Sequence, residues 1–156
     1  MRIGLVGCGN IGKMHTMAIN QIEKAEICAF ADTDIEHAKE YVERFTRGQA
    51  LTYHSLSEMI EKEELDVIHI CTPHFCHVPM AIEALGRNIH VFVEKPPAIS
   101  GEEVTRLKNA EAKSSATIGI CFQNRYNAAT KKVDELIADT LGSVKGGRTY
   151  LTWNRD

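Results

Sequence analysis

The sequence predicts an α/β fold built on a doubly wound parallel sheet. Short apolar runs typical of buried strands alternate with longer segments whose apolar residues recur at helical spacing. The composition is that of an ordinary globular domain, with 44% apolar and 25% charged residues in 156 positions. Because strands that alternate with helices pair in parallel, we expect helices on both faces of the sheet.

Six strands are predicted from the apolar runs, and this number in this rhythm fits the strand order of a dinucleotide-binding domain. The predicted strands cover residues 3–6, 26–31, 51–53, 66–71, 88–93 and 117–122.

Helices are predicted after each strand, over residues 11–23, 34–45, 76–85, 100–113 and 128–139, with one more beginning at Ser55. Ser55 and Ser100 each stand three positions before a glutamate, which is the capping-box pattern of a helix start. The first helix carries apolar residues at helical spacing that we expect to face the sheet: Ile11, Met14, Ala18, Ile19 and Ile22.

Charge and composition exclude several classes of protein. The net charge of −3 offers no general basic surface for nucleic acid or anionic lipid. No apolar run approaches the roughly 18 residues of a membrane span, and no signal peptide is recognised at the start. The five cysteines are odd in number and form no CxxC pair, so a reducing, cytoplasmic location is expected.

A glycine-rich turn follows the first strand and opens the first helix. Gly7, Gly9 and Gly12, with Asn10 and Ile11 between them, form the pattern GxGxxG. Glycines permit close approach of the backbone to a pyrophosphate, and the helix N-terminus supplies N–H groups and a positive dipole end. The alternative is a glycine turn that only packs the strand on the helix.

Asp32 ends the second strand, where a carboxylate accepts hydrogen bonds from the adenosine ribose. A carboxylate there repels a 2′-phosphate, and no arginine follows before Arg44, so NAD is favoured over NADP. The alternative role is helix capping, because either Asp32 or Asp34 could begin the helix at Ile35.

The segment Cys71–His77 follows the fourth strand, at the edge where open α/β sheets bind ligands. Its two cysteines and two histidines match no common ligand spacing, and no second cluster completes them, so no metal site is predicted. His69 and His90 alternate with apolar residues inside strands. We interpret these two as packed or surface strand residues rather than catalysts.

Lys95 closes the fifth strand between Glu94 and Pro96. A lysine at this edge could hydrogen-bond a substrate hydroxyl or stabilise an alkoxide, and Glu94 could orient it. A solvated ion pair before a proline turn is the alternative. The polar residues 123–127 after the sixth strand could face the same edge, or form a loop between domains.

Taken in order, these motifs resemble the Gfo/Idh/MocA family, named after glucose-fructose oxidoreductase and inositol dehydrogenase. GCGNIGKMH at 7–15 is similar to the family's GxGxxGxxH opening, and Asp32 ends the second strand as in the family. CTPHFCH at 71–77 is similar to TPxxxH, EKP at 94–96 is the most diagnostic element, and NRY at 124–126 follows the sixth strand.

The resemblance implies a Rossmann domain followed by a larger α/β domain, with NAD(P)-dependent oxidation or reduction of sugars, cyclitols and related polyols or keto compounds. It implies that Lys95 is the shared active-site residue beside the substrate hydroxyl, preceding a cis peptide bond to Pro96. The cofactor-binding residues that we predict are Gly7, Gly9, Asn10, Ile11, Gly12, Asp32, Thr72, Pro73, His77 and Glu94.

The resemblance also implies a domain division, with the Rossmann domain over residues 1–127 and the start of a second domain over 128–156. The family's catalytic histidine lies in that second domain, and His90 is the last histidine here. The chain is therefore either the cofactor part of an oxidoreductase or a non-catalytic NAD-binding module; a reductase of a tetrapyrrole or imine is a weaker reading. The extended segment 144–153 predicts pairing between copies, hence a homo-oligomer.

Overall fold

A computed structural model gives the fold and describes residues 1–148 and Tyr150. The chain divides into two compact units, Met1–Cys121 and Phe122–Asp156, and each is described by itself. Among the described residues, no helix has both the length and the apolarity needed to cross a lipid bilayer.

The first unit contains one six-stranded sheet in the order β3-β2-β1-β4-β5-β6. Every pair of neighbouring strands is parallel. This order confirms the predicted doubly wound sheet, because the chain moves outward from β1 first in one direction and then in the other. The strands are β1 (Arg2–Val6), β2 (Glu26–Ala31), β3 (Leu51–Tyr53), β4 (Val67–Ile70), β5 (His90–Val93) and β6 (Ile118–Ile120).

Helices connect the strands, as the alternation predicts, with ends that differ by a few positions from the expected ones. The helices of the first unit are α1 (Asn10–Ile19), α2 (Ile35–Thr46), α3 (Leu56–Lys62), α4 (His77–Gly86) and α5 (Gly101–Ala112). In the second unit, α6 (Ala128–Leu136) continues into a wider π-helical turn, Ile137–Leu141.

Both predicted serine caps are confirmed. The Ser55 hydroxyl accepts a hydrogen bond from the Glu58 N–H at 3.1 Å, and Ser100 accepts one from the Glu103 N–H at 3.2 Å. Each glutamate also reaches back to the backbone N–H that precedes its serine. These bonds satisfy donors that the helix itself leaves unpaired, so they fix where α3 and α5 begin.

Apolar side chains pack in two clusters, one on each face of the sheet. Along β1, Ile3 and Leu5 belong to the cluster under α1 and α2, whereas Val6 belongs to the cluster under α3, α4 and α5. This division follows from the alternation of side chains along a strand. Leu5 is completely buried. Burial of a side chain of this size contributes about 2 kcal/mol to the stability of the fold.

The apolar stripe predicted for α1 is wrong at four of its positions. Ile11, Met14, Ala18 and Ile22 are exposed, and only Ile19 of the predicted stripe is buried. The helix instead buries Gly12, His15, Thr16 and Ile19. The physical reason is the close approach of α1 to the end of β1, which only a glycine allows, so a small and polar side of the helix faces the sheet.

The predicted strand at 144–153 is not found in the described part of that segment. Residues 144–148 and Tyr150 belong to no helix or strand. Residue 149 and residues 151–156 lie outside the described residues, so the prediction of pairing through this segment stays a prediction.

Candidate functional site

The carboxyl ends of the parallel strands meet at one edge of the sheet, and the predicted site residues follow those ends. Gly7 follows β1, Asp32 follows β2, Cys71 follows β4, and Glu94 follows β5. In open α/β sheets this edge is the ligand-binding one. The topology therefore gathers motifs that are far apart in the sequence.

Two of the glycines in the turn after β1 cannot be replaced without steric conflict. Gly7 has φ +96°, and a Cβ atom there would lie 2.7 Å from the carbonyl of Cys71. A Cβ atom on Gly12 would collide with the Gly7 carbonyl oxygen. Since Gly7 also donates its N–H to the Ala31 carbonyl at 2.9 Å, the turn is tied to β2. These contacts fix the N-terminus of α1 at the sheet edge.

Gly9 caps α1 with no side-chain hydrogen bond, and the first turn contains no acidic residue. Open space surrounds the position that a Cβ atom would take on Gly9. Asn10 and Ile11, the first two residues of the helix, are exposed. A helix N-terminus with this room and this polarity is suited to an anion.

Asp32 connects the glycine turn to the start of α2. One carboxylate oxygen accepts the Cys8 N–H at 2.7 Å, and the other accepts the Asp34 N–H at 2.9 Å. Asp34 is the cap of α2, because its side chain accepts the Glu36 N–H. The structure thus assigns the helix cap to Asp34, and the ribose role of Asp32 stays a prediction. Burial, and then the nearby Asp32 carboxylate, raise the pKa of the Cys8 thiol to about 12.

After β4, Pro73 leads into a short 3-10 turn (His74–Cys76), and His77 begins α4. The Thr72 hydroxyl contacts the Met80 sulfur at 3.6 Å. His77 is completely buried, and its ring bridges two backbone carbonyls: Nδ1 lies 2.8 Å from the oxygen of Pro96, and Nε2 lies 2.9 Å from that of Thr72. The histidine of this motif therefore joins two loops at the site edge.

Glu94 is buried and Lys95 is exposed, although they are adjacent. One Glu94 oxygen lies 3.0 Å from His15 Nε2, and the other accepts the Lys95 N–H at 3.1 Å. Burial alone would raise the pKa of Glu94, but hydrogen bonds from His15, Cys121 and the Lys95 N–H outweigh it and lower that pKa. The peptide bond between Lys95 and Pro96 is cis, as the family resemblance implies.

His69 extends this cluster, with its Nδ1 atom 3.1 Å from Nδ1 of His15. Its ring packs 5.0 Å from the Phe92 ring, centre to centre. Burial, and then His15, lower the pKa of His69 to about 4. The interpretation of His69 as a packed strand residue agrees with these contacts, while His90 is exposed and hydrogen-bonds the Thr117 hydroxyl.

Sequence reasoning missed the grouping of His15 and Cys121 around Glu94, and the contact of His69 with His15. The only available signal was His15 as the last residue of GxGxxGxxH. Among the described residues, His15, Glu94 and Cys121 are the one trio whose metal-ligand atoms lie close enough for an ion, within 4.8 Å of one another. Because Glu94 accepts hydrogen bonds from the other two, we interpret the trio as a hydrogen-bonded cluster.

Gln123–Tyr126 forms a 3-10 turn at the start of the second unit. Within that unit, the Arg125 guanidinium lies 5.9 Å from the centre of the Phe122 ring. Asn127 caps α6 through the Ala129 N–H. A role for the 123–127 segment at the ligand edge stays a prediction.

Comparisons with known proteins agree with this geometry. Residues 1–122 match the model of an oxidoreductase family, Gfo/Idh/MocA, described as an NAD-binding Rossmann fold. The chain is 31% identical to glucose-6-phosphate 3-dehydrogenase of Bacillus subtilis over 154 residues, which are 98% of this chain and 43% of that protein. It is 28% identical to myo-inositol 2-dehydrogenase of Thermotoga maritima, over 91% of this chain and 42% of that one.

A solved structure, the WlbA dehydrogenase from Bordetella pertussis in complex with NADH and UDP-GlcNAcA, superposes with a TM-score of 0.82. It is 33% identical, over 88% of this chain and 41% of that one. The chain thus spans about two fifths of the length of these relatives. Its fold, its ordered motifs and the match over residues 1–122 together establish that the chain belongs to the Gfo/Idh/MocA family of NAD-binding oxidoreductases.

Proposed function

We propose that this chain is the cofactor-binding part of an oxidoreductase that moves hydride between a nicotinamide and a sugar, a cyclitol or a related polyol or keto compound. The observation that carries the proposal is the common edge of the sheet. There the glycine turn, Asp32 and the Glu94–Lys95 segment follow neighbouring or nearby strands.

The residues present fit a dinucleotide. Open space beside Gly9 leaves room for a pyrophosphate, and the first turn of α1, at Asn10 and Ile11, offers it N–H groups. Gly7 and Gly12 bring the turn and the helix together without side chains in the way. When bound, the nicotinamide supplies the hydride chemistry.

Asp32 favours NAD over NADP in this proposal. Its two oxygens are already oriented by the Cys8 and Asp34 N–H groups. Each carboxylate oxygen has two acceptor positions, so capacity remains for the ribose hydroxyls of NAD. A 2′-phosphate would bring negative charge against this carboxylate.

Lys95 is the proposed catalytic residue, because its side chain is exposed at the end of β5 while its backbone is held by Glu94. Its ammonium group can donate a hydrogen bond to the reacting oxygen of a substrate and stabilise negative charge there. Thr72, Pro73 and His77 are proposed to line the nicotinamide side, and Glu94 to orient Lys95.

The substrate class is proposed from the relatives, whose names specify a sugar phosphate, inositol and a UDP-sugar. Residues 1–127 would form the cofactor domain, and residues 128–156 would begin the substrate domain. A non-catalytic NAD-binding module stays the alternative prediction. The cytoplasmic location and the homo-oligomer stay predictions.

The test is a titration of NADH and NADPH into the purified chain, followed by nicotinamide fluorescence. NADH should bind at least about 10-fold more tightly than NADPH, a difference of about 1.4 kcal/mol. Asp32→Ala should weaken NADH binding by a similar factor. Asp32→Asn, which keeps one oxygen acceptor, is the second variant to be measured if Asp32→Ala does not fold.

Asp34→Ala is the matched control, because it removes the α2 cap but keeps the N–H that Asp32 accepts. It should lower stability by about 1 kcal/mol and leave NADH affinity unchanged. The proposal fails if NADH does not bind the folded chain. The ribose role of Asp32 fails if both Asp32 variants bind NADH as the wild type does.

A further inference from the structure

The segment that carries Lys95 is held on both sides by buried histidines from two different helices. On one side, His15 of α1 bonds Glu94; on the other, His77 of α4 bonds the Pro96 carbonyl. His15 is 8% exposed and His77 is not exposed at all. Neither ring is therefore placed to contact a substrate, but each ring contacts a residue adjacent to Lys95.

The bond on the Glu94 side has a fixed direction. A carboxylate only accepts, and the pKa of Glu94 is lowered, so Nε2 of His15 must carry the proton that it donates. Nδ1 of His15 faces His69, which holds the ring in this orientation. The second oxygen of Glu94 accepts the Lys95 N–H. A line of contacts thus runs from α1 to the backbone of Lys95.

The bond on the Pro96 side requires a proton on Nδ1 of His77. Pro96 and Thr72 each offer His77 a carbonyl oxygen, which only accepts. A neutral imidazole carries one N–H, so its ring donates to one of these two carbonyls at a time. The bond to Pro96 exists when the proton is on Nδ1, and the bond to Thr72 exists when it is on Nε2. The two ring nitrogens of His77 contact different loops, and only Nδ1 contacts the segment that carries Lys95.

We propose that His15 and His77 are positioning residues for Lys95: His15 acts through Glu94 by its Nε2 atom, and His77 acts through Pro96 by its Nδ1 atom. The inference rests on the proposed function, in which Lys95 contacts the substrate. Because α1 also begins at the glycine turn, His15 fixes Lys95 relative to the helix that would receive the pyrophosphate.

The amide side chains of asparagine and glutamine separate the two ring nitrogens, since asparagine places a donor near Nδ1 and glutamine places one near Nε2. The proposal therefore predicts opposite patterns at the two positions. His15→Gln should preserve the Lys95 segment and His15→Asn should not. His77→Asn should preserve it and His77→Gln should not.

The measurement is hydrogen exchange of the Lys95 backbone amide, followed by two-dimensional NMR. The preserving variants should stay within about 3-fold of the wild-type rate, and the disrupting ones should exchange at least 10-fold faster. The amide of Ala29, in the middle of β2, is the internal control. A purely space-filling role would accelerate exchange at Lys95 and Ala29 together and would not distinguish asparagine from glutamine.

A second measurement needs no variant, since His77 is buried enough for its variants to misfold. Nitrogen NMR of the histidine rings in the wild type should show a proton on Nε2 of His15 and on Nδ1 of His77. A bare nitrogen at either position overturns the proposal, as does the same exchange rate in the asparagine and glutamine variants.

Titration of NADH into the same samples separates this inference from the proposed function. If NADH fails to bind the wild type while the opposite exchange patterns hold, the dinucleotide function is wrong and the two histidines still position the segment. If NADH binds and the patterns are absent, only the positioning roles are wrong.

Discussion

The hydroxyl of Tyr41, on α2, donates a 2.5 Å hydrogen bond to the carbonyl oxygen of Gly9, in the glycine turn. Burial raises the pKa of Tyr41 to about 12, so the hydroxyl keeps its proton and stays a donor. The ring packs against Phe30 and Phe45. This bond joins α2 to the turn that would hold the pyrophosphate.

Tyr41→Phe should keep the ring packing and lose only that bond. Stability should fall by about 1 kcal/mol, and NADH affinity should fall several-fold because the turn is less well fixed. Denaturant unfolding and fluorescence titration measure the two effects. Tyr53→Phe is the control, since its hydroxyl bonds Glu63 at 2.6 Å, away from the turn. An equal loss of affinity in both variants would contradict the prediction.

Gly12→Ala should be strongly destabilising, by about 2 kcal/mol or more, because its Cβ atom would collide with the Gly7 carbonyl. Gly86→Ala is the matched control. Gly86 ends α4 and has open space where a Cβ atom would go, so alanine there should be neutral or stabilising by up to about 1 kcal/mol. Thermal unfolding of the two variants decides the matter, and similar melting temperatures would refute the collision.

Acid should destabilise the protein through His69. Its pKa is lowered to about 4, so the unfolded chain binds a proton that the folded chain refuses. The contribution of His69 is fully present above about pH 6.5 and is lost as pH falls toward 4, by up to about 3 kcal/mol. Glu94, whose pKa is also lowered, adds to the loss only below its unfolded value near 4.5.

Across the window from about pH 6.5 to 5, the contribution of His69 falls while the pH is still above the unfolded value of Glu94. His69→Asn keeps a polar atom near Nδ1 but does not titrate, so its unfolding free energy should depend less on pH across this window. His90→Gln, at an exposed position of β5, should keep the wild-type slope. If the unfolding free energy depends on pH equally in the wild type and in His69→Asn, His69 is not the source of the acid sensitivity.

Glu94 and Lys95 should respond very differently to loss of charge, although they are neighbours. In the wild type, several groups donate hydrogen bonds to the buried Glu94 carboxylate. Glu94→Gln replaces one of its oxygens with an amide donor, so it should lower the free energy of unfolding by about 3 kcal/mol. Lys95→Met alters an exposed side chain and should stay within about 0.5 kcal/mol of the wild type. Chemical denaturation tests both values; a large loss for Lys95→Met would show that its ammonium group supports the fold.

Much of the fold could be predicted because local patterns decide it. The apolar runs and glycine turn located the strands, and the serine–glutamate pairs located two helix starts correctly. The inward face of α1 was not predictable from apolar spacing. Its neighbours are a backbone carbonyl of Gly7 and a carboxylate of Glu94, so Gly12 and His15 face inward in place of larger apolar residues.

The site was predictable as a set of strand ends, but not as a set of contacts. Asp32 and Asp34 offer the same chemistry two positions apart, and only the hydrogen bonds with Cys8 and Glu36 assign their structural roles. His15 and Glu94 are 79 residues apart in the chain. Their pairing depends on β1, β4 and β5 being neighbours, which no local pattern specifies.

The central place of β1 has a consequence for how the protein is made on the ribosome. Arg2 and Asp66, at the beginning of the β1–β4 pair, are 64 residues apart, and the backbone of Cys71 closes against Gly7. One edge of β1 therefore has no partner strand until β4 has been synthesised. The glycine turn can therefore be completed only after the chain as far as Cys71 has been synthesised.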